Sequence, residues 1–286
     1  MGQTFASLGA KDIRKDSVGN IDFRIQRQLR SYRKEDPSPS RVKPIPIQVI
    51  HAVLNSAYGP HGSTAGQAIA DMIVIAFFYL LRPGEYTGTT ADNAPFRMQD
   101  VQLFIGKHRL DLVHAADADL LAATSATLTF TTQKNGVRGE VVLHGRSGCL
   151  LCCPVTAIIR RTRCLRMHHA PPATPLATSW HNNSKRSVTA HDITETLQLA
   201  VTNLGPAIGL VPQDISARSL RAGGAMALLS ANVDTDIIRL LGRWQSNAMM
   251  RYLHLQALPA MNCFANLMTS GGNYTVTPGH HVPVHE

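Results

Sequence analysis

This 286-residue sequence has few long apolar segments, few acidic residues and no regularly spaced cysteines. The most apolar run, MIVIAFFYLL at 72–81, is shorter than the roughly 20 residues that a membrane-spanning helix needs. The five cysteines are odd in number and irregularly spaced, which excludes a disulfide framework and favours a reducing compartment. The first residues, MGQTFASLGAKDIRKD, lack the apolar core of a signal peptide. We therefore expect an intracellular protein without membrane contact, nuclear if the host is eukaryotic.

The shortage of acidic residues leaves the chain basic. It has 28 Lys and Arg against 19 Asp and Glu, a net charge of +9 and a pI near 9.6. Such a balance fits either a solvated basic surface or a polyanionic partner, of which nucleic acid is the commonest. The hydrophobic fraction of 44% indicates a globular protein with a real core.

Hydrophobic periodicity predicts a mainly α-helical chain with one small antiparallel β-sheet, an α+β fold. Helices are expected at 47–57, at 68–81 with Ser63 or Thr64 as the cap and Pro83 as the stop, and at 154–169. Short β-rich runs cover 98–106, 127–133 and 139–145, and QKNGVRG between the last two is typical of a hairpin tip. Four further helical segments are predicted, at 191–203, 216–231, 234–244 and 247–269.

Composition divides the chain into three parts. Residues 1–43 hold ten Lys and Arg against five Asp and Glu, with a basic helix predicted at 23–34 and a proline-rich linker after it. Residues 44–270 carry the predicted elements and form the main domain. Residues 271–286 are expected to be a flexible tail, and no internal repeat is visible.

Tyr252, within LLGRWQSNAMMRYLHL, raises a chemical question. A phenol with a pKa of about 10 is a poor nucleophile unless its target is strongly electrophilic. A phosphodiester becomes such a target when arginines neutralise its non-bridging oxygens, because a guanidinium keeps its charge and offers two parallel hydrogen bonds. A half-buried aromatic is the alternative interpretation of Tyr252.

Two cationic positions in the first half of the chain fit that chemistry. Arg82 follows a buried helix, and Glu85 lies three residues on, where its carboxylate can hold the guanidinium. Lys134 lies at the predicted hairpin tip, where an ammonium can protonate a leaving alkoxide. Taken singly, Arg82 is better interpreted as a surface arginine and Lys134 as a solubilising turn residue.

The second half of the chain supplies further donors. Arg218 and Arg221 are three apart on a predicted helix and are expected together at the border of its apolar stripe. Gly223 and Gly224 in the same helix indicate close approach of another backbone or a ligand. Arg243 and Trp244 can each donate to a phosphate oxygen, although core packing is the ordinary role of a tryptophan.

The order of these residues resembles the catalytic domain of the tyrosine recombinase, or phage integrase, family over about residues 45–265. The resemblance rests on Arg82 with Glu85, Lys134 on a hairpin, SLR at 219–221, LGRW at 241–244 and Tyr252. The sequence RSLRAGGA followed by LLGRW is similar to the Crypton and DIRS-like recombinases of eukaryotic mobile elements. The implied fold is that of the DNA breaking-rejoining enzymes.

The resemblance implies transesterification without metal or cofactor. Tyr252 would attack a DNA phosphate, Arg82 and Arg221 would hold it, and Lys134 would protonate the leaving 5′-oxygen. Glu85 would support Arg82. The residues themselves agree, because the sequence contains no Walker-type glycine loop, no HExxH and no cluster of carboxylates for two metals.

Two features depart from the family pattern. Arg218 and Arg243 occupy positions where the family usually has histidine, or histidine or tryptophan, and arginine cannot act as a base near neutral pH. Only about 43 residues precede the match, so the family's separate core-binding domain is expected to be mostly missing.

Other residues have weaker assignments. Arg160, Arg163 and Arg166 share one predicted helical face and are expected to contact the DNA backbone, with a solvated face as the alternative. Cys149, Cys152 and Cys153 with Cys164, His168 and His169 form a weak zinc pattern, and we expect no metal there.

The sequence thus predicts a site-specific DNA recombinase or integrase of a mobile element. It would act on double-stranded DNA as a homo-oligomer, in which the resemblance implies that a helical segment at 257–268 docks on a neighbouring subunit. Packing of that segment on its own core is the alternative. A DNA-binding protein that kept the fold but lost catalysis is the main alternative. A strand relaxer similar to type IB topoisomerases is another.

Overall fold

The computed structural model describes residues 9, 12, 14–15, 18–35, 42–87, 95–131, 139–181 and 184–244, with the backbone alone at 30 and 33–35. Internal contacts group the chain into two units, Met1–Arg41 and Val42–Glu286. The division of 1–270 into a remnant and a catalytic domain stays a prediction. None of the helices in the described ranges has both the length and the apolar character that crossing a bilayer requires.

Among its described residues, the N-terminal unit contains the helix α1 (Phe23–Glu35), where the sequence predicts a basic helix. A short antiparallel bridge joins Lys15 to Ile21 just before it. Apolar side chains such as Phe23 and Leu29 are exposed on this helix, at 70% and 46%.

The second unit is built around a buried helix, α3 (Thr64–Phe78), preceded by α2 (Ile47–Tyr58). The hydroxyl of Ser63 caps α3 by accepting a hydrogen bond from the backbone N–H of Gly66 at 3.0 Å. Nearly every residue between Ala68 and Phe77 is buried, which explains the continuous apolar run in the sequence.

Helix α3 ends three residues earlier than its apolar run predicts. The N–H of Leu81 donates to the carbonyl of Ala76, and that of Leu80 to Phe77, in the pattern of a Schellman motif. Leu80 takes the left-handed position, with φ of +49°, that glycine usually occupies. The predicted end at Leu81 was wrong because nothing in the identity of Leu80 marks it as the terminating residue.

The main sheet is antiparallel with strand order β2-β1-β3-β4. Its strands are β1 (Val101–Ile105), β2 (His108–Arg109), β3 (Ser125–Phe130) and β4 (Glu140–Gly145). Strands β3 and β4 pair from Ser125 with Gly145 to Phe130 with Glu140, as the two halves of a hairpin do. The predicted tip between them, at 133–139, lies outside the described residues except for Gly139.

Two helices and a second hairpin interrupt or follow this sheet, and one short helix precedes it. A short helix, α5 (Asp117–Ala122), precedes β3, and α6 (Pro154–Met167) follows β4. The polar hairpin of β5 (Thr178–His181) and β6 (Ser184–Ser187) has no counterpart in the sequence-based prediction. A single turn of helix, α4 (Pro83–Tyr86), comes directly after α3.

The C-terminal helices match the predicted segments within a few residues. They are α7 (Ala190–Leu204), α8 (Ser219–Ser230) and α9 (Thr235–Leu241). The helix predicted at 247–269 lies outside the described part of the chain. The predicted fold class, mainly helical with a small antiparallel sheet, is confirmed.

Adjacent glycines in α8 let that helix touch two other backbones. A Cβ at Gly223 would lie 2.4 Å from the carbonyl oxygen of Ile45, and one at Gly224 would lie 2.3 Å from that of Phe77. Helix α8 therefore packs directly on the last turn of α3, as the two glycines indicated. This close approach brings the start of α8 to the end of α3.

We expect Gly224→Ala to destabilise the protein by about 2–3 kcal/mol, because the added methyl would clash with Phe77 and with the Leu80 side chain. Gly145→Ala is the matched control, since a Cβ there meets its nearest neighbour at 4.0 Å. Urea denaturation should show the control within about 0.5 kcal/mol of wild type. Equal stability of the two variants would contradict the direct backbone contact.

Candidate active site

Arg82 occupies the N-cap position of α4, between the end of α3 and Pro83. Its backbone N–H donates to Glu85 Oε2 at 2.8 Å, and its Nη1 donates to Glu85 Oε1 at 3.0 Å. One carboxylate therefore fixes both the main chain and the side chain of this arginine. The Arg82 side chain is 29% exposed, so its guanidinium is accessible to a ligand.

Arg221 lies in the first turn of α8 and is buried, at 4% exposure. Its Nη1 donates to the carbonyl of Leu80 at 2.8 Å, and its Nη2 donates to the carbonyl of Gly242. The guanidinium also lies over the indole of Trp244, 4.3 Å from the ring centroid. This arginine joins the end of α3 to the end of α9.

Arg243 is also buried, with 2% of its side chain exposed. Its Nη1 donates to Tyr79 and Leu241 carbonyls at 3.2 and 3.0 Å, and its Nη2 donates to the Leu80 carbonyl at 3.1 Å. The same Nη2 donates to Glu85 Oε2 at 3.2 Å. Its buried Nε–H has no hydrogen-bond partner among the residues that the structure describes.

Electrostatics and packing hold the Arg243 cation in a dry setting. The guanidinium lies 3.7 Å from the centroid of the Phe130 ring, the last residue of β3. Burial lowers the pKa of Arg243 to about 10, with Glu85 opposing that shift and Arg82 adding to it. Arg243 is therefore still charged at neutral pH.

The backbone around residue 243 explains how so long a side chain turns inward. Helix α9 ends in a Schellman motif in which Arg243, with φ of +57°, takes the left-handed position. Gly242 has an ordinary helical φ, and a Cβ there would lie 1.7 Å from the Trp244 ring. The absence of a side chain at Gly242 thus leaves space for the indole, and Arg243 takes the left-handed conformation that a glycine usually adopts.

Two shared acceptors connect these side chains into one cluster. The Glu85 carboxylate binds Arg82 and Arg243, and the Leu80 carbonyl binds Arg221 and Arg243. Two of the three cations share the Glu85 carboxylate, and a bound anion at the accessible Arg82 end would add a further negative charge to the cluster. We call this set Arg82, Glu85, Arg221, Arg243 and Trp244 the arginine cluster.

The predicted placing of Arg218 beside Arg221 needs correction. Arg218 is exposed at the N-cap of α8, whereas Arg221 is buried against α3. Only one helical turn separates the two arginines. The N-cap of α8 is at the surface and its first turn is already buried, so Arg218 is exposed and Arg221 is not. Lys134 and Tyr252, the predicted acid and nucleophile, lie outside the described residues.

The three arginines predicted to contact DNA all have acidic neighbours in the structure. Arg160 Nε donates to the buried carboxylate of Asp71 at 2.7 Å. Arg163 Nη2 lies 2.8 Å from Asp117 Oδ2, and Arg166 Nη1 lies 3.7 Å from Asp117 Oδ1. Their expected role at the DNA backbone stays a prediction, and the face they form is less positive than three free arginines would be.

The cysteines at 149, 152 and 153 of the weak zinc pattern are free thiols that contact neighbouring parts of the chain. Cys152 and Cys153 are buried, and the N–H of Cys152 donates to Cys149 Sγ at 3.3 Å. The His168 ring stacks on Trp180 with centroids 4.1 Å apart. Within the described ranges, no three His, Cys, Asp or Glu side chains come together in a way that could hold a metal ion.

Sequence reasoning missed the acceptors that organise the cluster. The carbonyls of Tyr79 and Leu80 and the ring of Phe130 carry no motif, since any residue supplies a carbonyl. Pro83, which prevents the chain from remaining helical, is the one signal near them.

Comparison with known proteins adds only weak likenesses. No protein-family model and no curated protein matches the sequence. A Tn1549 transposon integrase in complex with transposon right-end DNA has a TM-score of 0.43 and 14% identity, over 81% of this chain and 67% of that one. The same integrase with circular-intermediate DNA has a TM-score of 0.38 and 16% identity, over 79% and 66%. These scores are too low for either likeness to bear on the chemistry of this chain.

We expect Arg243→Met to lower the free energy of unfolding by about 3 kcal/mol. It removes the side-chain donor to the Tyr79 and Leu241 carbonyls, and one of the two arginines bound to Glu85. Arg239→Met on the same helix is the control, since that arginine is 42% exposed and pairs with exposed Asp236. Urea denaturation should place the control within about 0.5 kcal/mol of wild type. A similar small effect for both would mean that Arg243 does not hold the end of α3.

Proposed function

We propose that this chain is a tyrosine-type DNA recombinase or integrase of a mobile element, similar to the Crypton and DIRS-like branch. The observation that carries the proposal is the arginine cluster. It gathers around one helix end three of the cations that the sequence pattern assigns to a phosphate, although up to 164 residues separate the partners in their contacts. The DNA-bound integrases that the chain weakly resembles do not decide the matter.

The proposed reaction is a transesterification in which bond energy is conserved. Tyr252 Oη attacks a DNA phosphorus, a 3′-phosphotyrosine bond forms, and the bond from phosphorus to the 5′-oxygen breaks. The tyrosine proton passes to solvent or a nearby base, and Lys134 gives a proton to the leaving 5′-oxygen. Attack by a 5′-hydroxyl of another strand reverses the step.

The arginines have different parts in this proposal. Arg82 makes the first contact with a phosphate oxygen, since its guanidinium is the more exposed and is already oriented by Glu85. Arg221 and Arg243 contribute positive charge from the protein interior, and the carbonyls that they bind hold their guanidiniums in place. Charge held in place before the reaction stabilises the developing negative charge without reorganisation.

A DNA-binding protein that has lost catalysis is the second candidate. Two observations favour it: Arg218 is exposed and cannot accept the tyrosine proton, and Arg221 and Arg243 direct donors at protein carbonyls. Such a protein would bind DNA with strong salt dependence and form no covalent adduct. Assembly of copies on DNA through residues 257–268 belongs to the first candidate.

The nucleophile can be tested with a nicked suicide DNA substrate that traps covalent intermediates. We expect an adduct with wild type and with Tyr32→Phe, an exposed tyrosine on α1, and none with Tyr252→Phe. Denaturing gels detect the adduct. Salt-sensitive DNA binding without any adduct would reject the recombinase and support the second candidate.

The role of Lys134 can be separated from DNA binding by the leaving group. We expect Lys134→Ala to slow cleavage by about 100-fold or more on ordinary DNA. A substrate with sulfur in place of the bridging 5′-oxygen should restore the rate, because a thiolate leaves without a proton. Equal slowing on both substrates would show that Lys134 is not the acid.

A further inference from the structure

A cavity lies at the opposite end of helix α3 from the arginine cluster. It has a volume of about 280 Å³ and opens between the end of α2, the start of α3, the second half of α6 and strand β5. Gln67 at the cavity and Leu80 at the cluster are thirteen residues apart. A helix rises about 1.5 Å per residue, so the two sites are separated by roughly 20 Å.

The floor of this cavity is a buried ion pair. Asp71 is 1% exposed and accepts hydrogen bonds from Arg160 Nε at 2.7 Å and from the Tyr58 hydroxyl at 2.8 Å. The Arg160 guanidinium also lies over the Tyr58 ring, 4.5 Å from its centroid. Both donors belong to residues that line the cavity, and both bind the same oxygen of Asp71, Oδ1.

Two more arginines make the cavity electropositive. Arg161 is 3% exposed, and its guanidinium donates to the neutral carbonyls of Leu176 and Thr178. Arg163 lines the same cavity with 40% of its side chain exposed, and exposed Asp117 binds one edge of its guanidinium. Asp71, the carboxylate among the described lining residues, acts on Arg161 electrostatically but is hydrogen-bonded to Arg160. Three arginines therefore surround one lining carboxylate, and an anion in the cavity would offset the excess positive charge.

One wall of the cavity is aromatic and flat. The rings of His168 and Trp180 are stacked, with planes 10° apart and centroids at 4.1 Å. Trp180 is half-buried and rigid in β5, while His168 is exposed at the end of α6. Such a surface binds another planar ring by stacking.

We propose that this cavity binds a nucleotide unit, with its phosphate at Arg161 and Arg163 and its base against Trp180. An anion joined to a planar ring matches the charge and the wall together, and a nucleotide is a common biological ligand with both parts. The unit comes either from a free mononucleotide or from an unpaired position of a nucleic-acid strand. The site does not require Tyr252 or the arginine cluster.

Calorimetric titration of the full chain with adenosine 5′-monophosphate tests the site. We expect binding that weakens by about tenfold or more in Trp180→Leu and in Arg163→Gln, and that persists in Trp180→Phe, which keeps an aromatic ring. Adenosine and inorganic phosphate alone should each bind at least about tenfold more weakly. Arg109→Gln, at an exposed arginine of β2, should leave the affinity unchanged.

Competition distinguishes the two sources of the nucleotide and separates this site from the first. A short single-stranded oligonucleotide that displaces the mononucleotide in an Arg82→Ala background points to a strand, and its failure to do so points to the free form. If Arg82→Ala loses adduct formation but binds the mononucleotide as wild type does, the result supports both the recombinase site and the separate nucleotide cavity. No mononucleotide binding at millimolar concentration, or equal affinity in wild type and the folded Arg163→Gln variant, overturns this one.

Discussion

The carbonyl oxygen of Leu80 accepts hydrogen bonds from two buried guanidiniums, Arg221 and Arg243. The packing of the helices around the arginine cluster depends on these two bonds. The Leu80 carbonyl lies at the C-terminal end of a helix that is enclosed on nearly all sides, where unpaired carbonyls and the negative end of the helix dipole both need cations. Water cannot reach them there, so Arg221 and Arg243 supply the donors. Through these bonds α3, α8 and the end of α9 are fixed against each other.

The same bonds bear on the proposed chemistry. Arg221 and Arg243 are held too deeply to contact a substrate freely, yet their charges lie next to Arg82, which Glu85 orients at the surface. In the proposed function, stability and phosphate binding would therefore use one set of cations. A change at Arg243 acts on the end of α3 and on Glu85 together, whereas a change at Arg82 removes mainly an exposed group.

Strained helix ends recur in this chain and two of them lie at the arginine cluster. Leu80, His169, Asn232 and Arg243 each take a left-handed conformation in a Schellman motif, and none is glycine. That conformation costs a residue with a side chain roughly 1–2 kcal/mol. At Leu80 and Arg243 the cost is offset by what the turn achieves, since one presents its carbonyl to the arginines and the other directs its guanidinium inward.

The sequence by itself determined the elements with clear periodicity or turn chemistry: the helix after Ser63, the β3–β4 hairpin and the paired glycines of α8. It missed the β5–β6 hairpin, because TSWHNNSKRS has no apolar alternation, and the end of α3, because Leu80 resembles any other apolar residue. It named the arginines of the cluster, but only the tertiary structure decided that Arg221 is buried and Arg218 exposed. The reason is that a guanidinium enters the core only where folding brings carbonyl acceptors to it, and those at Leu80 come from 141 residues away.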